Sequence, residues 1–469
     1  MKHVTSSLTR YRRHRWPFRA GVLTIMSLLA GPASAADLLT ISRDALEHNS
    51  TLASARAQFG GVQAGVDVAR ADLRPQLEAS GEITHDRQYE SPGSSLAGTG
   101  GRQDEDYNGA ALTLAATQAL YDARNGAELE RAERQLDQQT YRLAATEQQV
   151  LVDVGSAYFD ILRAHEVLEA RRAQERAIGR QLEQAGEQFE VGLIAITEVE
   201  EARARFDQSR AERITAESNL QVSFEALERL TGERYDSLAT LQAAMPVMPP
   251  TPMRRDDWVA MAMERNPLVL ASQAGVEVSR SGVDVARAER LPVIEAFARY
   301  QYSDDDREAL DGHTSASQVG ARVSLPLYTG GRTSAGIRQS TYALEASQYD
   351  LEDRRRETIR RVRSLFTQVR NDVATVEARA QAIVSNQSAL DATRAGYEVG
   401  TRNIVDVLNA EQNLYDAVAA HAEARLDHVI NLLNLHQQAG SLDVDFLTTL
   451  NGWLTAEAAV SVRPTTPDA

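Results

Sequence analysis

Apolar residues recur every seven positions in two long stretches of this chain, and each stretch contains one spacing of four. The first stretch contains Leu129, Leu136, Leu143, Val150, Ala157, Ile161, Leu168, Glu175, Leu182 and Phe189. The second contains Leu344, Leu351, Thr358, Leu365, Val369, Val376, Ile383, Leu390 and Tyr397. A seven-residue repeat predicts supercoiled helices, and a spacing of four locally unwinds the coil. Each stretch therefore predicts a helical rod of roughly 60 residues and about 90 Å.

A different periodicity precedes each rod, because apolar and polar residues alternate there as in a strand with one apolar face. The second half of the chain predicts strands at about 293–303 and 317–328, separated by a polar loop. Tyr300 and Tyr302 stand at one end, where a bilayer interface favours tyrosine. The first half predicts strands at about 76–88 and 106–120.

The chain contains an internal repeat. Residues 65–71 read GVDVARA and recur unchanged at 282–288, and residues 189–193 align with 397–401. Two units of one design therefore fill most of the chain. We predict repeat 1 at 36–245, a proline-rich linker at 246–256, repeat 2 at 257–450 and a C-terminal tail at 451–469, with the long helices turning near 189–196 and 397–404.

The first 35 residues predict a secretory signal peptide. Six basic residues precede an apolar run, and the small residues Ala33-Ser34-Ala35 that follow form a cleavage site. No other stretch approaches the ~18 to 20 apolar residues of a spanning helix. The chain would therefore cross a membrane with strands. Four strands cannot close a barrel, and open sheet edges in lipid cost several kcal/mol per unpaired backbone group. Several copies must then supply one closed barrel.

Composition removes several function classes. The sequence has no cysteine, and Lys2 is its only lysine. Zinc-thiolate sites, cysteine nucleophiles, a phosphate-loop lysine and Schiff-base chemistry are therefore excluded from the mature chain. Without the signal peptide 44 basic residues face 66 acidic ones, a formal charge of about −22 that argues against nucleic acid as a partner.

The residues at both predicted turns resemble the TolC family of outer-membrane efflux and type I secretion proteins. Residues 396–410 read GYEVGTRNIVDVLNA and residues 189–199 read FEVGLIAITEV, and both look like the tips of the two repeats in that family. The resemblance implies an α+β trimer with four strands per protomer in a shared 12-stranded barrel, continued by a long periplasmic helical barrel. It implies an exit duct in a Gram-negative outer membrane for drugs or secreted proteins.

The resemblance also implies partners and functional residues. An inner-membrane transporter and a periplasmic adaptor would engage the channel, and outer-membrane lipid would surround it. The adaptor would dock at the tips, at Val191, Gly192, Leu193, Val399, Gly400 and Thr401. A gate latch would be formed by Thr197, Glu198, Tyr397 and Arg402, and a pore constriction by Asp406 and Asn409. The family usually has aspartate at the positions of Glu198 and Asn409.

Simpler interpretations stand beside these assignments. Arg402 and Asp406 are four residues apart and form a surface ion pair worth about 0.3 to 0.5 kcal/mol if nothing else engages them. His421, His428 and His436 have the spacing of any heptad face, which favours packing over metal binding. We expect no cofactor, metal or catalytic site. The alternative functions are a pore-less periplasmic coiled-coil scaffold, which gives no reason for the strands, and a secreted enzyme, for which the repeats leave little room.

Overall fold

The structure is a computed structural model that describes residues 35–89, 104–242, 245–306 and 312–461. The predicted signal peptide up to Ser34, the Gly/Ser-rich loop at 91–101 and the end of the tail lie outside the described residues. The first half contains α1 (Leu38–His48), α2 (Ser50–Ala71), β1 (Gln76–Tyr89), β2 (Asp104–Tyr121), α3 (Ala123–Glu190), α4 (Ile196–Thr231) and β3 (Ser237–Leu241). The second contains α5 (Arg255–Arg265), α6 (Pro267–Ala288), β4 (Val293–Asp305), β5 (Gly312–Ser324), α7 (Arg332–Glu398), α8 (Ile404–Ala439), α9 (Val444–Asn451) and β6 (Leu454–Ser461).

The same order of a 22-residue helix, two strands, a long helix and a 36-residue helix occurs in both halves. The long helices α3 and α7 have 68 and 67 residues, somewhat more than the heptads predicted. Each is therefore about 100 Å long. We call α3 with α4 hairpin 1, and α7 with α8 hairpin 2. The described helices do not include one that is long and apolar enough to span a bilayer.

Helix α3 lies at the centre of the protomer, in contact with α2, α4, α6 and α8. Most of its heptad positions are buried or half-buried, whereas Phe189 at the lower end is exposed. Glu175 interrupts the apolar heptad. Its carboxylate forms an ion pair with Arg213 of α4, with 2.6 Å between Glu175 Oε2 and Arg213 Nε. A polar residue on such a seam is tolerated when a partner compensates it, and it helps to specify the helix register.

Asn49 and Asn266 occupy equivalent positions in the two halves, and each joins two helices of its own half. Asn49 caps α2 by accepting the backbone N–H of Leu52, and Asn266 caps α6 in the same way. The side-chain amide of Asn49 also donates to the carbonyl of Leu230 at 2.8 Å, and that of Asn266 to the carbonyl of Gln438 at 2.9 Å. Both asparagines are buried, so each one ties the start of a 22-residue helix to the end of a returning helix.

The four long strands form one antiparallel sheet in the order β1-β2-β4-β5. Side chains alternate between the faces along a strand, and residues opposite each other share a face. One face carries the rows Leu77, Ala116, Ala298, Val319; Ala79, Leu114, Tyr300, Ser317; and Gly81, Leu112, Tyr302, Ser315. The other carries Glu78, Ala115, Arg299, Gln318 and Ser80, Thr113, Gln301, Ala316. The sheet therefore has one largely apolar face and one polar face.

The boundaries of β5 differ from the predicted 317–328. The last pair joins Val293 to Ser324, so Leu325 and Leu327 continue the alternation outside the strand. Pro326 cannot donate a ladder hydrogen bond, and β4 has no residue left to pair with. At the other end β5 extends back to Gly312 through residues predicted as loop. These polar residues belong to the strand because their backbone pairs with β4. A search for alternating apolar residues does not detect such pairing.

The predicted C-terminal tail contains a strand. Within it β6 pairs antiparallel with β3, so the end of the described chain returns to the first half. Val460 of β6 and Leu238 of β3 are fully buried in the main core. The Tyr158 hydroxyl of α3 donates to the Ala239 carbonyl at 2.5 Å, which fixes this small sheet against the middle of the long helix.

Candidate functional site at the hairpin tips

Both long helices end in the same hydrogen-bonded turn. In hairpin 1 the N–H of Gly192 donates to the carbonyl of Phe189 at 2.9 Å, and that of Leu193 to Gln188 at 2.8 Å. In hairpin 2 Gly400 donates to Tyr397 at 3.0 Å, and Thr401 to Gly396 at 2.9 Å. This is the Schellman pattern, which needs a left-handed residue after the helix.

Glycine fits both turns because of backbone conformation. Gly192 and Gly400 have φ angles of 75° and 78°, which L side chains rarely adopt. A Cβ atom at either position would meet no heavy atom within 4 Å in the chain. Around these glycines Val191, Leu193 and Val399 are exposed by 71%, 74% and 74%. The two tips therefore present apolar side chains to solvent on rigid turns.

The returning helices begin differently. Asn403 caps α8 by accepting the N–H of Asp406 at 2.9 Å, and the Asp406 carboxylate accepts the N–H of Asn403 at 3.4 Å. This reciprocal pair is a capping box that fixes the first turn of α8. Ala195 precedes α4 without a side-chain cap. The first turn of the returning helix is therefore held by side-chain capping in hairpin 2 and not in hairpin 1, and Asp406 is one of the two capping residues.

The structure brings Tyr397 to hairpin 1. Its hydroxyl donates to Oε1 of Gln188 on α3 at 2.9 Å. Burial raises the pKa of the Tyr397 phenol, and the nearby Glu198 carboxylate raises it further. The phenol therefore stays protonated and able to donate at physiological pH. Of the four predicted latch residues, the Tyr397 phenol and the Glu198 carboxylate of one chain lie near enough for the charge of Glu198 to raise the phenol pKa.

Arg402 has a local partner within the described residues of one chain. Its guanidinium lies 3.8 Å from the Asp406 carboxylate, and the two side chains are exposed by 62% and 38%. The stem of Arg402 passes over Gly396, where a Cβ would lie 2.8 Å from Arg402 Cγ. Thr197 is exposed at the start of α4. The surface ion pair is therefore the arrangement within a protomer, and a contact of Arg402 with Thr197 or Glu198 requires a second copy.

Asn409 also meets hairpin 1. The Arg205 guanidinium of α4 donates to Asn409 Oδ1 at 3.1 Å, and it lies 3.5 Å from Gln412 Oε1. Sequence reasoning missed Arg205 and Gln188 as partners of the predicted site. Patterning offered one signal, since Gln181 and Gln188 are seven residues apart and share a face of α3.

An ion pair with a buried carboxylate lies one to two helical turns from the tip of hairpin 2. Arg394 of α7 approaches Oε1 of Glu411 on α8 at 2.6 Å, and Gln181 of α3 donates to the same oxygen at 3.4 Å. The Glu411 residue is fully buried. Sequence reasoning missed this pair, although Ile404, Leu408 and Glu411 stand on one apolar face of α8 at helical spacing.

The three histidines lie apart from the tips. His428 is buried against α7, and burial lowers its pKa. His436 stacks on Phe446 with ring centroids 3.7 Å apart and meets the edge of Trp258 at 5.0 Å. Among the residues that the structure describes, no group of three or more histidine or acidic side chains is arranged to hold a metal ion.

Comparison with known proteins identifies the architecture. The family "Outer membrane efflux protein" matches residues 41–233 and 258–441. Outer membrane protein TolC of Vibrio cholerae is 33% identical over 437 residues, which cover 92% of this chain and 97% of the relative. The alkaline protease secretion protein AprF of Pseudomonas aeruginosa is 30% identical and covers 93% of this chain and 90% of its own. The crystal structure of the outer membrane protein VceC from Vibrio cholerae superimposes with a TM-score of 0.71 at 20% identity, over 86% of this chain and 96% of that one.

Proposed function

This chain belongs to the outer membrane efflux protein family, and on that premise we propose that three copies form one continuous exit duct. The protein is an outer-membrane exit component of an efflux or type I secretion system in a Gram-negative bacterium. Its family is one of transport channels. Each protomer would supply two structural repeats, four strands of a 12-stranded barrel and two helical hairpins of a periplasmic tube.

The observation that carries the proposal is the two-faced sheet with open edges. Strands β1 and β5 each pair with one neighbour within the chain, so their outer edges need partners. The apolar face runs from Ile294 to Tyr302, nine residues that extend about 27 Å along the strand. This extent suits a tilted strand in a bilayer. The apolar face would contact lipid, and the polar face would line the lumen.

The lumen face supports this assignment. The Arg322 guanidinium lies 3.9 Å from the Glu295 carboxylate and 5.3 Å from the Phe297 ring centre. The Phe297 ring covers Gly320, where a Cβ would approach it to 3.0 Å. An arginine and a glutamate on one face of a sheet are costly against lipid, whereas a water-filled lumen accepts them.

We assign the exposed tips to adaptor docking, with the inner-membrane transporter as the further partner. The secretion and efflux relatives supply the precedent, and Val191, Leu193 and Val399 supply an exposed apolar surface. Replacing these three residues by serine leaves the glycine turns in place. Export should be lost while trimers remain intact, and normal export by this variant would contradict the docking site.

We assign the gate latch to Thr197, Glu198, Tyr397 and Arg402, with Arg402 reaching an adjoining protomer when the tips converge. Asp406 and Asn409 would form the constriction, where a ring of carboxylates favours cations. Because Asp406 also closes the capping box, Asp406→Asn is the informative change: it keeps an acceptor for Asn403 and removes the charge. Cation preference in planar bilayers should fall with closure unchanged, and an unchanged preference would contradict the constriction.

Fractionation tests the proposed function as a whole. We expect the mature protein in the outer membrane as a trimer whose electrophoretic mobility changes on heating, with channel activity after reconstitution into planar bilayers. A soluble periplasmic protein without channel activity would instead support the coiled-coil scaffold.

A further inference from the structure

The carboxylate of Glu411 occupies an apolar region of the gate. Val407 and Leu408 lie one turn below it on α8, Leu414 lies one turn above, and all are buried. Glu411 itself has no exposed surface. Taking a carboxylate out of water is costly unless hydrogen bonds and an opposite charge replace the lost hydration. The partners of each oxygen therefore decide how well this charge is accommodated.

The two oxygens are unequally compensated. Oε1 receives Arg394 at 2.6 Å and Gln181 at 3.4 Å. Oε2 is buried and has no hydrogen-bond partner among the described residues. The Arg394 side chain is 39% exposed and keeps part of its hydration, although its Nε is also buried without a partner. Among the described residues, Arg394 is the one cation within 4.0 Å of the Glu411 carboxylate. The other oxygen of that carboxylate has no hydrogen bond that replaces water.

Glu411 also lies on the seam along which the hairpins must separate. Gln188 and Gln181 on α3 meet Tyr397 and Glu411 of hairpin 2 in turn. Further up the same helix Arg171 pairs with Asp416 at 2.6 Å. A tip that opens from its lower end breaks the Tyr397 contact first and reaches Glu411 next. Separation at that level admits water to the unpartnered oxygen.

We propose that Glu411 is a positioning residue of the gate, whose charge, held by Arg394, sets how readily hairpin 2 separates from hairpin 1. This inference rests on the proposed channel and assigns it a control point above the latch. With Arg394 present, the packed arrangement tolerates the buried carboxylate. Without Arg394 the carboxylate is stable only in water, so the separated arrangement is favoured. Replacing both residues by apolar ones removes the penalty and favours packing.

The test compares the single-channel conductance of a single and a double variant in planar bilayers, where the second substitution should cancel the effect of the first. Arg394→Met should raise single-channel conductance severalfold over the parent. Arg394→Met with Glu411→Met should return conductance to the parent value or below. The matched control is Arg203→Met, which breaks an exposed pair with Glu200 at 3.6 Å on α4. It should leave conductance unchanged.

A second readout uses the absence of native cysteines. A spin label at Leu193→Cys reports distances between the three tips of a trimer. Arg394→Met should broaden and lengthen these distances, and the double variant should restore them. If Arg394→Met does not yield trimers, Arg394→Gln and Arg394→Gln with Glu411→Gln provide the same comparison.

Unchanged conductance and tip distances in the single variant would overturn the proposal, as would a double variant as open as the single one. Arg402→Ser measured beside them separates this inference from the latch. An effect of Arg394→Met without one of Arg402→Ser leaves Glu411 as the control point and refutes the latch. Parent protein that forms no channels refutes the proposed duct itself.

Discussion

Helices α3 and α7 are nearly equal in length and share one heptad design, yet they are buried to different extents. Sixteen residues of α3 are buried in the single chain, against seven of α7. The difference comes from neighbouring helices. Helix α3 is covered by α6 and α8 of the second half in addition to the helices of its own half, whereas α7 contacts α5, α6 and α8, all of its own half. Within one chain, neighbouring helices therefore cover much of α3, whereas α7 keeps a larger exposed surface.

The internal repeat suggests which helix of another copy would cover α7 in the proposed trimer. Helix α6 corresponds to α2 at a spacing of 217 residues, as Asn266 corresponds to Asn49, and α7 corresponds to α3 at 208. We propose that the contact of α3 with α6 inside a protomer is the template for a contact of α7 with α2 of the next copy. Three copies joined in this way would close a ring in which each α7 is covered by an α2.

The largest expected effect breaks the proposed contact between copies. Tyr342 and Tyr349 stand on the exposed face of α7. Their equivalents on α3 are Arg134 and Tyr141, which line a cavity of about 280 Å³ beside α6. Changing both tyrosines to aspartate would bury charges in the interface. We expect complete loss of trimers, measured by native electrophoresis. Intact trimers of this variant would place the interface elsewhere.

A smaller effect concerns a pH dependence of folding stability that arises in hairpin 2 and has no equivalent in hairpin 1. Burial lowers the pKa of His436 to about 4, and the equivalent position in hairpin 1 is Glu228. The neutral ring is the packed form, so its stabilisation is complete above pH 6.5 and is lost as the pH falls towards 4, by about 3 kcal/mol in total.

Urea unfolding at several pH values, followed by the fluorescence of Trp258 and Trp453, measures this loss. His436→Phe keeps the aromatic stack and should reduce the pH dependence by the contribution of His436, leaving that of other buried histidines such as His428. Changing the exposed His48 to glutamine should not. Equal pH dependence in the parent and His436→Phe would contradict this role of His436.

The paired asparagines give an intermediate effect with different readouts. Asn266→Ala removes a cap and leaves the Gln438 carbonyl unsatisfied, which should cost about 2 kcal/mol of protomer stability. Asn49→Ala makes the same local change in α2, which we propose covers α7 of the next copy. It should also lower the temperature at which trimers dissociate. The control is Asn371→Ala on the surface of α7, and equal behaviour of all three variants would refute the distinction.

The smallest energetic change concerns the latch. Arg402 makes an exposed pair with Asp406 worth about 0.3 to 0.5 kcal/mol within a protomer, so its removal alone should do little. If it also bridges to an adjoining hairpin, Arg402→Ser deletes three contacts per trimer and should raise single-channel conductance. Arg203→Ser is the matched surface control. Unchanged conductance with normal insertion would leave the local pair as the whole role of Arg402.

Sequence patterning predicted the long helices because a heptad repeat sustained over some 60 positions has few other interpretations. It also located both tip turns, since each needs a left-handed glycine. It misplaced β5, because Leu325 and Leu327 continue the alternation past Pro326 while polar residues pair before it. It did not find Gln188 with Tyr397 or Arg394 with Glu411, because a contact between helices far apart in sequence depends on their relative rotation.

The most direct test of the ring is a cross-link between copies. A Cβ at Gly275 of α6 would lie 2.6 Å from Gln138 Nε2 of α3, so these positions face each other within the protomer. Their equivalents are Gln58 on α2 and Ala346 on α7, both exposed in the single chain. In this cysteine-free chain, Gln58→Cys with Ala346→Cys and a short thiol cross-linker should give covalent dimers and trimers, whereas Gln138→Cys with Gly275→Cys should give cross-linked monomers only. Monomers alone from the first pair would contradict the ring.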